Sequence, residues 1–252
     1  MYRRKNAGGN AHDAETGFGL ARVLSKLGFA SRTESADLIK AGKVKVNGRV
    51  IRDPERRTFA GRESVLVDDR PIHAVHKIYL VMNKLEGVLT SYTDPQNRPT
   101  VYKYLPQLDS WVFPVGRLDA KTSGLLIFTN DTQLGEKLTN SEFGVPKTYE
   151  VKVRRKLNDE AIERLRRGVR LDDGYVTKPC QCTVMKANEG STWLEMTIIE
   201  GKNRQIRRMI ESVGSEVSKL RRTAIACVRI GELKGGTTRD LTAEEIEALR
   251  RL

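Results

Sequence analysis

The sequence is poor in cysteine, and the way its cysteines are placed argues against both disulfide and metal sites. Its 252 residues include three of them, Cys180, Cys182 and Cys227. An odd number of cysteines in a chain of this length is not the framework that stabilises small disulfide-rich domains. Because no histidine lies close to any of them in the sequence, we expect buried free thiols, with no metal site.

Long hydrophobic runs and nucleotide-binding motifs are also missing. No stretch approaches the ~18 to 20 apolar residues of a membrane span, so we expect no membrane association. Residues 1–17 are polar and glycine-rich, without the apolar core of a secretory signal, which predicts a disordered tail and a cytoplasmic protein. Neither GxxxxGK[ST] nor GxGxxG occurs, so we expect no nucleotide cofactor.

Positive charge is what the sequence has in excess. The chain contains 45 Lys and Arg against 32 Asp and Glu, a formal net charge of +13. Residues 18–62 hold 11 basic and 4 acidic side chains, so half of the excess lies in less than a fifth of the chain. This concentration favours a polyanionic partner over a basic surface that merely aids solubility.

The basic segment, residues 18–65, has the pattern of two helices and a hairpin. In LARVLSKL the apolar residues recur at i, i+3, i+4 and i+7, which predicts a first helix. Ser31 and Glu34 have the spacing of a capping box and predict the start of a second helix. The Asn47-Gly48 pair in VKVNGRV predicts a tight β-hairpin.

The arrangement LxxVLSKLGFASRTESADLIKAGKVKVNG resembles the alpha-L RNA-binding domain of ribosomal proteins and RNA-modifying enzymes. The resemblance implies structured RNA as the partner, recognised by its shape and backbone. Residues 66–77 are interpreted as a linker, whose His73 and His76 bind no metal. The segment SVLVDDRPI, which begins just before this linker, could add a strand to the first domain. The basic residues expected to meet phosphates are Arg32, Lys43, Lys45 and Arg49.

Residues 78–252 mix strands and helices without a regular βαβ repeat, which predicts an α+β domain with a mixed sheet. The segments that predict strands are IYLVMNK, VLTSY, LLIFT, KTYEVKV, WLEMTII and ACVRI. The residues expected to cap helices at their N-termini are Asp131, Asn158, Asn203 and Thr242, the last in a capping box with Glu245.

Three short segments of this domain have ordinary interpretations when taken singly: VGRLDAKTSGLL, KTYEV and EGKNRQIRRM. Together, and behind the basic domain, they resemble the pseudouridine synthases that modify ribosomal RNA and carry an alpha-L domain in front. The resemblance implies an α+β pseudouridine synthase domain, a uridine of ribosomal RNA or of a pre-ribosomal particle as substrate, and a reaction without metal or cofactor.

The resemblance also implies roles for individual residues. Asp119 matches the essential aspartate, which could attack the ribose as a nucleophile or begin an elimination to a glycal. Tyr149 matches the active-site tyrosine that lies against the target ring and is a candidate base. Arg207 matches the basic residue paired with the aspartate, where a guanidinium would favour the ionised carboxylate.

The resemblance implies that Arg117, two residues before the aspartate, helps to flip the target base out of the RNA. A base stacked in folded RNA must leave the stack before it can react, and Arg117 would fill the vacated space. Thr122, Ser123 and Gly124 are expected to shape the turn before the LLIFT strand. The basic residues interpreted as phosphate contacts or structural neighbours of the site are Lys147, Lys202 and Arg204.

Two other functions remain open at this point. A non-catalytic RNA-binding or ribosome-assembly protein would share the basic domain, although it would not need to keep Asp119, Tyr149 and Arg207 together. A carboxylate hydrolase of nucleosides or sugars would not need a basic front domain. We expect a monomer, and large-subunit RNA is favoured slightly over small-subunit RNA as substrate.

Overall fold

The computed structural model describes residues 17–72 and 76–252, and the statements below concern these residues. Residues 1–16 of the predicted tail, and His73, lie outside them. The chain divides into two compact units. The described residues up to Ile78 form the first unit together with Leu108–Phe113, and the second unit comprises Tyr79–Gln107 and Pro114–Leu252. Among the described helices, none is long and apolar enough to cross a membrane.

The first unit consists of two helices and short strands. The helices are α1 (Leu20–Lys26) and α2 (Arg32–Lys40). The strands are β1 (Phe18–Gly19), β2 (Val44–Val46), β3 (Arg49–Ile51), β4 (Arg57–Thr58), β5 (Val65–Val67) and β6 (Arg70–Pro71). Strands β1 and β4 pair with each other, and the other four form an antiparallel sheet in the order β3-β2-β5-β6.

Local sequence signals account for most of this unit. The Ser31 hydroxyl accepts a hydrogen bond from the Glu34 amide, and the Glu34 carboxylate accepts one from the Ser31 amide, so the predicted capping box is present. Asn47 and Gly48 both have positive φ, as a two-residue hairpin turn requires. The strand predicted in SVLVDDRPI is β5, and β5 and β6 carry the sheet past residue 65 into the segment interpreted as a linker.

The second unit is a mixed sheet with helices. Its strands are β7 (Tyr79–Lys84), β9 (Ser123–Thr129), β10 (Lys147–Arg154), β11 (Gln181–Asn188), β12 (Ser191–Ile198), β13 (Val217–Ile225), β14 (Val228–Arg229) and β15 (Thr238–Asp240), and the short β8 (Phe113–Pro114) stands at the unit boundary. Its helices are α3 (Thr132–Thr139), α4 (Asp159–Arg167), α5 (Gln205–Ser212) and α6 (Ala243–Arg251), with 3-10 turns at Val101–Tyr104 and Ser141–Phe143.

The sheet order of the second unit is β11-β12-β10-β13-β9-β7-β15, and the predicted α+β mixed sheet is confirmed. The neighbouring pairs along this order are antiparallel except β13 and β9, which are parallel. Gly124 of β9 pairs with Arg222 of β13, and a Cβ at Gly124 would lie 2.2 Å from the Arg222 carbonyl oxygen. This close contact sets the start of β9 against β13, next to the loop that precedes β9.

Several predicted elements are confirmed, and others are wrong. Asp131, Asn158 and Thr242 cap their helices as expected. VLTSY forms no strand; it contributes only an isolated bridge between Leu89 and Thr100. Strands β11 and β13 were missed, because β11 is mostly exposed and β13 mixes charged residues with apolar ones. Asn203 is not a helix cap either: α5 begins later, and the Arg204 backbone before it is left-handed.

Candidate active site

A cavity of about 400 Å³ in the second unit brings together residues from all three motif segments. Apolar side chains line part of it, among them Leu138, Ile198 and Leu220. The predicted site residues that line it are Arg117, Asp119, Lys147, Tyr149, Lys202 and Arg204. Six residues chosen from motifs up to 87 positions apart thus surround one space, while Arg207 lies behind it, outside the cavity lining.

The loop that carries Asp119 is held by a buried lysine that the sequence analysis did not select. Lys84, at the end of β7, is 1% exposed. Its ammonium donates hydrogen bonds to the carbonyl oxygens of Thr122 at 2.8 Å, Leu85 at 3.0 Å and Asp119 at 3.2 Å. Burial lowers the pKa of Lys84 to about 8, and the carboxylates of Asp119 and Glu86 act in the opposite direction. The signal available in the sequence was a lysine at the end of the largely apolar segment IYLVMNK, which predicts a strand.

The same loop is held on a second side by Thr90. Its hydroxyl donates to the Leu118 carbonyl oxygen at 2.8 Å and accepts from the Leu118 amide at 3.3 Å. Asp119, which is half-buried, therefore sits in a backbone segment fixed by side chains from outside the segment. A reactive carboxylate gains from such fixation, because its position is set before substrate binds.

Arg207 also holds this loop, although the direct pairing with Asp119 that we expected is absent. No ion pair within 4.0 Å joins the two side chains in the described part of the chain. The Arg207 guanidinium, 7% exposed, donates instead to the Lys121 carbonyl oxygen at 2.7 Å and the Val217 carbonyl oxygen at 3.3 Å. Burial and the nearby Arg204 lower the pKa of Arg207, whereas Asp119 raises it, so the two charges still influence each other.

Tyr149 lies on β10 and is 8% exposed. Lys147 precedes it by two residues and therefore points to the same face of the sheet. Arg222 pairs with Tyr149 across β13 and also lines the cavity. Burial, followed by the charge of Arg222, lowers the pKa of Lys147 to about 8. Arg222 was not selected from the sequence, because one arginine in a mixed strand resembles an exposed charge.

The turn that carries Lys202 is fixed by a buried carboxylate, Glu200, which the sequence analysis also missed. Glu200 is 2% exposed and accepts hydrogen bonds from the Tyr175 hydroxyl at 2.7 Å and the Gln205 side-chain amide at 2.5 Å. Gln205 in turn accepts from the Lys202 amide at 3.0 Å. The Lys202 ammonium lies 4.6 Å from the centre of the Tyr175 ring, a cation–π contact.

The rim of the cavity is exposed and basic. Arg117, Lys202 and Arg204 are all exposed. Arg117 and Arg204 also line a neighbouring recess with Arg98, whose guanidinium pairs with Asp94 at 2.7 Å. Exposed arginines and lysines around a cavity are suited to the phosphates of a polynucleotide.

In the first unit, the predicted phosphate contacts fall into two groups. Arg32 and Arg49 are exposed. Lys43 lies 4.0 Å from Asp68, and Lys45 pairs with Asp69. Because exposed ion pairs are worth little and are screened by salt, these lysines can still exchange a carboxylate for a phosphate.

The cysteines differ from one another in burial. Cys182 is buried and Cys180 half-buried, but Cys227 is exposed, so the expectation of a buried thiol is wrong at that position. Burial raises the pKa of Cys180 to about 12 and that of Cys182 to about 11. Within residues 17–72 and 76–252, no group of three or more His, Cys, Asp and Glu side chains could hold a metal ion.

Comparison with known proteins agrees with this geometry. The sequence model described as RNA pseudouridylate synthase matches residues 78–212, and that of the S4 domain matches residues 18–57. A Bacillus subtilis protein named ribosomal large subunit pseudouridine synthase B is 35% identical over 92% of this chain and 96% of its own length. An Aquifex aeolicus protein named uncharacterized RNA pseudouridine synthase is 34% identical over 90% of this chain and 92% of its own.

A solved structure is also similar over nearly the whole chain. It is titled as the crystal structure of pseudouridylate synthase and aligns with a TM-score of 0.66 at 25% identity. The alignment covers 92% of this chain and 99% of that one. The likeness therefore extends over both the S4-like and the larger segment of the sequence.

Proposed function

This chain belongs to the RNA pseudouridylate synthase family, and we propose that it converts a specific uridine of large-subunit ribosomal RNA to pseudouridine. The observation that carries the proposal is the meeting of Asp119, Tyr149 and a basic rim at one cavity. The large subunit is favoured because the Bacillus subtilis relative is named for it and is similar over almost its full length.

Asp119 acts on the ribose. The reaction breaks the C1′–N1 bond, turns the base and joins C5 to C1′, after which the proton on C5 is lost. A carboxylate serves this chemistry either as a nucleophile at C1′ or by starting the loss of the C2′ proton that gives a glycal. The bonds from Lys84, Thr90 and Arg207 to the loop backbone hold the carboxylate in place for either route.

Tyr149 and Arg207 support the aspartate in different ways. Tyr149 presents its ring to the cavity and packs against the target base, which has to turn without leaving the pocket. Arg207 acts from behind the cavity: it fixes the backbone at Lys121 and contributes positive charge near Asp119.

Arg117 enters the space that the flipped uridine leaves. Arg117 is exposed at the rim of the cavity that the half-buried Asp119 also lines, so its long side chain is available to the RNA next to the reacting ribose. Filling the gap offsets part of the few kcal/mol that unstacking costs. Lys202 and Arg204 bind flanking phosphates.

The first unit anchors the enzyme on folded RNA, either free or in a pre-ribosomal particle, through Arg32, Arg49 and the hairpin lysines. A non-catalytic role is not favoured, because Asp119 and Tyr149 line one cavity and Arg207 holds the loop that carries Asp119. Monomeric state and cytoplasmic location remain predictions from the sequence.

The test is a pseudouridine map of both ribosomal RNAs from cells with and without the gene, followed by rescue with variants. We expect one large-subunit position to lose its pseudouridine, and to regain it with wild type but not with Asp119→Asn. Asp159→Asn, which changes an exposed carboxylate on α4, is the matched control and should rescue fully. An unchanged map, or rescue by Asp119→Asn, would contradict the proposal, and released uracil would indicate a hydrolase.

A further inference from the structure

Two cations line the cavity next to Tyr149, the ring against which the proposed function packs the target base. Lys147 and Tyr149 share one face of β10, and Arg222 stands opposite Tyr149 on β13, so the three side chains are neighbours on the same face. All three line the cavity. We call Lys147 and Arg222 the cationic pair.

The cationic pair lacks a negative partner in the described part of the chain. No carboxylate lies within 4.0 Å of either cation there. Arg222 is 3% exposed; its Nε donates to the Leu125 carbonyl oxygen at 2.8 Å, while its buried Nη2 has no hydrogen-bond partner. The Lys147 ammonium donates to the Val145 carbonyl oxygen at 3.1 Å.

Such an arrangement of two cations is unfavourable by itself. A buried donor without a partner costs free energy, and two like charges beside each other cost more when water is excluded. The lowered pKa of Lys147, to which Arg222 contributes, reflects the same conflict. The conflict is relieved when negative charge enters the cavity next to Tyr149.

We propose that the cationic pair contacts the uracil ring and stabilises the negative charge that the ring acquires as the C1′–N1 bond breaks. The inference rests on the proposed function. It assigns a catalytic role to Arg222, and it moves Lys147 from the phosphate contacts to the reacting base.

The chemistry explains why cations suit this position. When the C1′–N1 bond breaks, its electron pair goes to N1 and is shared with the two carbonyl oxygens of the ring, while C1′ bonds to Asp119 or becomes part of a glycal. Uracil is neutral in uridine, so the charge exists only once the bond has begun to break. A contact that strengthens in the transition state accelerates the reaction instead of only tightening binding. The later attack of C5 on C1′ consumes the charge again.

A phosphate is the other negative group that could reach the cavity, and burial argues against it. The exposed cations of the rim, Arg117, Lys202 and Arg204, are placed for the RNA backbone. Arg222 is buried and Lys147 half-buried, and both adjoin the aromatic ring on which the base would pack, so a flat base fits there better than a hydrated phosphate.

The test measures kcat and KM of Lys147→Met on an RNA fragment whose target position holds either uridine or 5-fluorouridine. Fluorine stabilises the uracil anion, and loss of the parent nucleoside reports bond cleavage in both substrates. With uridine we expect kcat to fall by roughly 10- to 100-fold, as when one donor to developing charge is removed, with KM nearly unchanged. With 5-fluorouridine the fall should be clearly smaller. Lys147→Arg, which keeps a cation, should retain more activity than Lys147→Met.

Two further variants complete the test. Lys202→Met removes a cation of the rim and should act mainly on KM. Arg222→Met should lower kcat as Lys147→Met does. Because Arg222 also donates to the Leu125 carbonyl oxygen, the melting temperature of Arg222→Met is measured alongside. If Arg222→Met does not fold, the result with Lys147→Met decides. A rise in KM with kcat unchanged would overturn the inference in favour of a phosphate site, and an equal fall for both substrates would overturn it too. If wild type makes no pseudouridine in the fragment that holds uridine, it is the proposed function that has failed.

Discussion

The Lys84 ammonium lies 2.8 Å from the Thr122 carbonyl oxygen, at the far end of the loop that carries Asp119. The same ammonium reaches the Asp119 carbonyl, 35 residues away in the chain. A charged group whose hydrogen bonds go to backbone carbonyls fixes the path of the loop without competing for the carboxylate. The position of the reactive group therefore depends on a residue that does not line the cavity.

Replacing Lys84 by methionine should lower both stability and activity. The variant removes a donor from three carbonyl oxygens, of which that of Asp119 keeps the Thr122 amide, and a buried group left unsatisfied costs about 1–3 kcal/mol. We expect a lower urea midpoint and a kcat reduced by about 100-fold, because small displacements of a catalytic group are costly. Lys219→Met, at an exposed position of β13, is the control and should change neither. A Lys84→Met enzyme with normal kcat would show that the loop holds its position alone.

Gly124→Ala should be among the most damaging single substitutions. Gly124 has a φ of +106°, and an added Cβ would lie 2.2 Å from the Arg222 carbonyl oxygen, so β9 and β13 would have to separate. We expect a loss of more than about 3 kcal/mol in the free energy of unfolding, measured in urea. Gly144→Ala is the matched control: it also has positive φ, +58°, but open space, and should cost only about 1 kcal/mol. Equal losses for the two would mean that backbone strain, not the contact, decides.

Removing Asp69 should strengthen RNA binding. Asp69 pairs with Lys45, and its loss frees that lysine for a phosphate. We expect Asp69→Asn to lower the Kd for an RNA fragment by a few-fold. Arg49→Ala should raise the Kd, and the slope of log Kd against log salt concentration should fall by about one, the value for one phosphate contact. Titrations at several salt concentrations check both. An unchanged Kd for Arg49→Ala would indicate that the hairpin is not part of the RNA-binding surface.

Activity and stability should respond to alkaline pH in opposite directions. Lys84 and Lys147 both have pKa values lowered to about 8, mainly by burial. As pH rises through 8 they lose the charge that the loop and the base require, so kcat/KM should fall. The unfolded chain keeps these protons up to the ordinary lysine pKa near 10.5, so it binds more protons than the folded chain in that window. Their contribution to the free energy of unfolding therefore rises with pH between about 8 and 10.5.

The check is a pair of pH profiles on wild type and Lys147→Arg. Arg222 and Asp119 also line the cavity that Lys147 lines. The variant should retain more kcat/KM above pH 8 than wild type does, each relative to its value at pH 7. Identical profiles would indicate that the fall in kcat/KM above pH 8 comes from Lys84 alone or from the substrate.

The sequence by itself determined the features that depend on neighbouring residues. Ser31 with Glu34, Asn47 with Gly48, and the caps at Asp131, Asn158 and Thr242 act within a few residues of one another, so their patterns can be read from the chain. The motif around Asp119 and its two companion segments were also sufficient to indicate the family and the residues now found at one cavity.

Only the tertiary structure decided which distant groups meet. The parallel pairing of β9 with β13 brings Arg222 to Leu125, 97 residues away. The antiparallel pairing of β10 with β13 places Arg222 beside Tyr149. The bond from Arg207 to the Lys121 carbonyl, in place of the expected pair with Asp119, follows from how α5 packs behind the loop. A charged residue reads the same in sequence whether it is solvated or enclosed. Its role was settled here by burial and by the long-range backbone carbonyls it reaches, and neither leaves a local pattern.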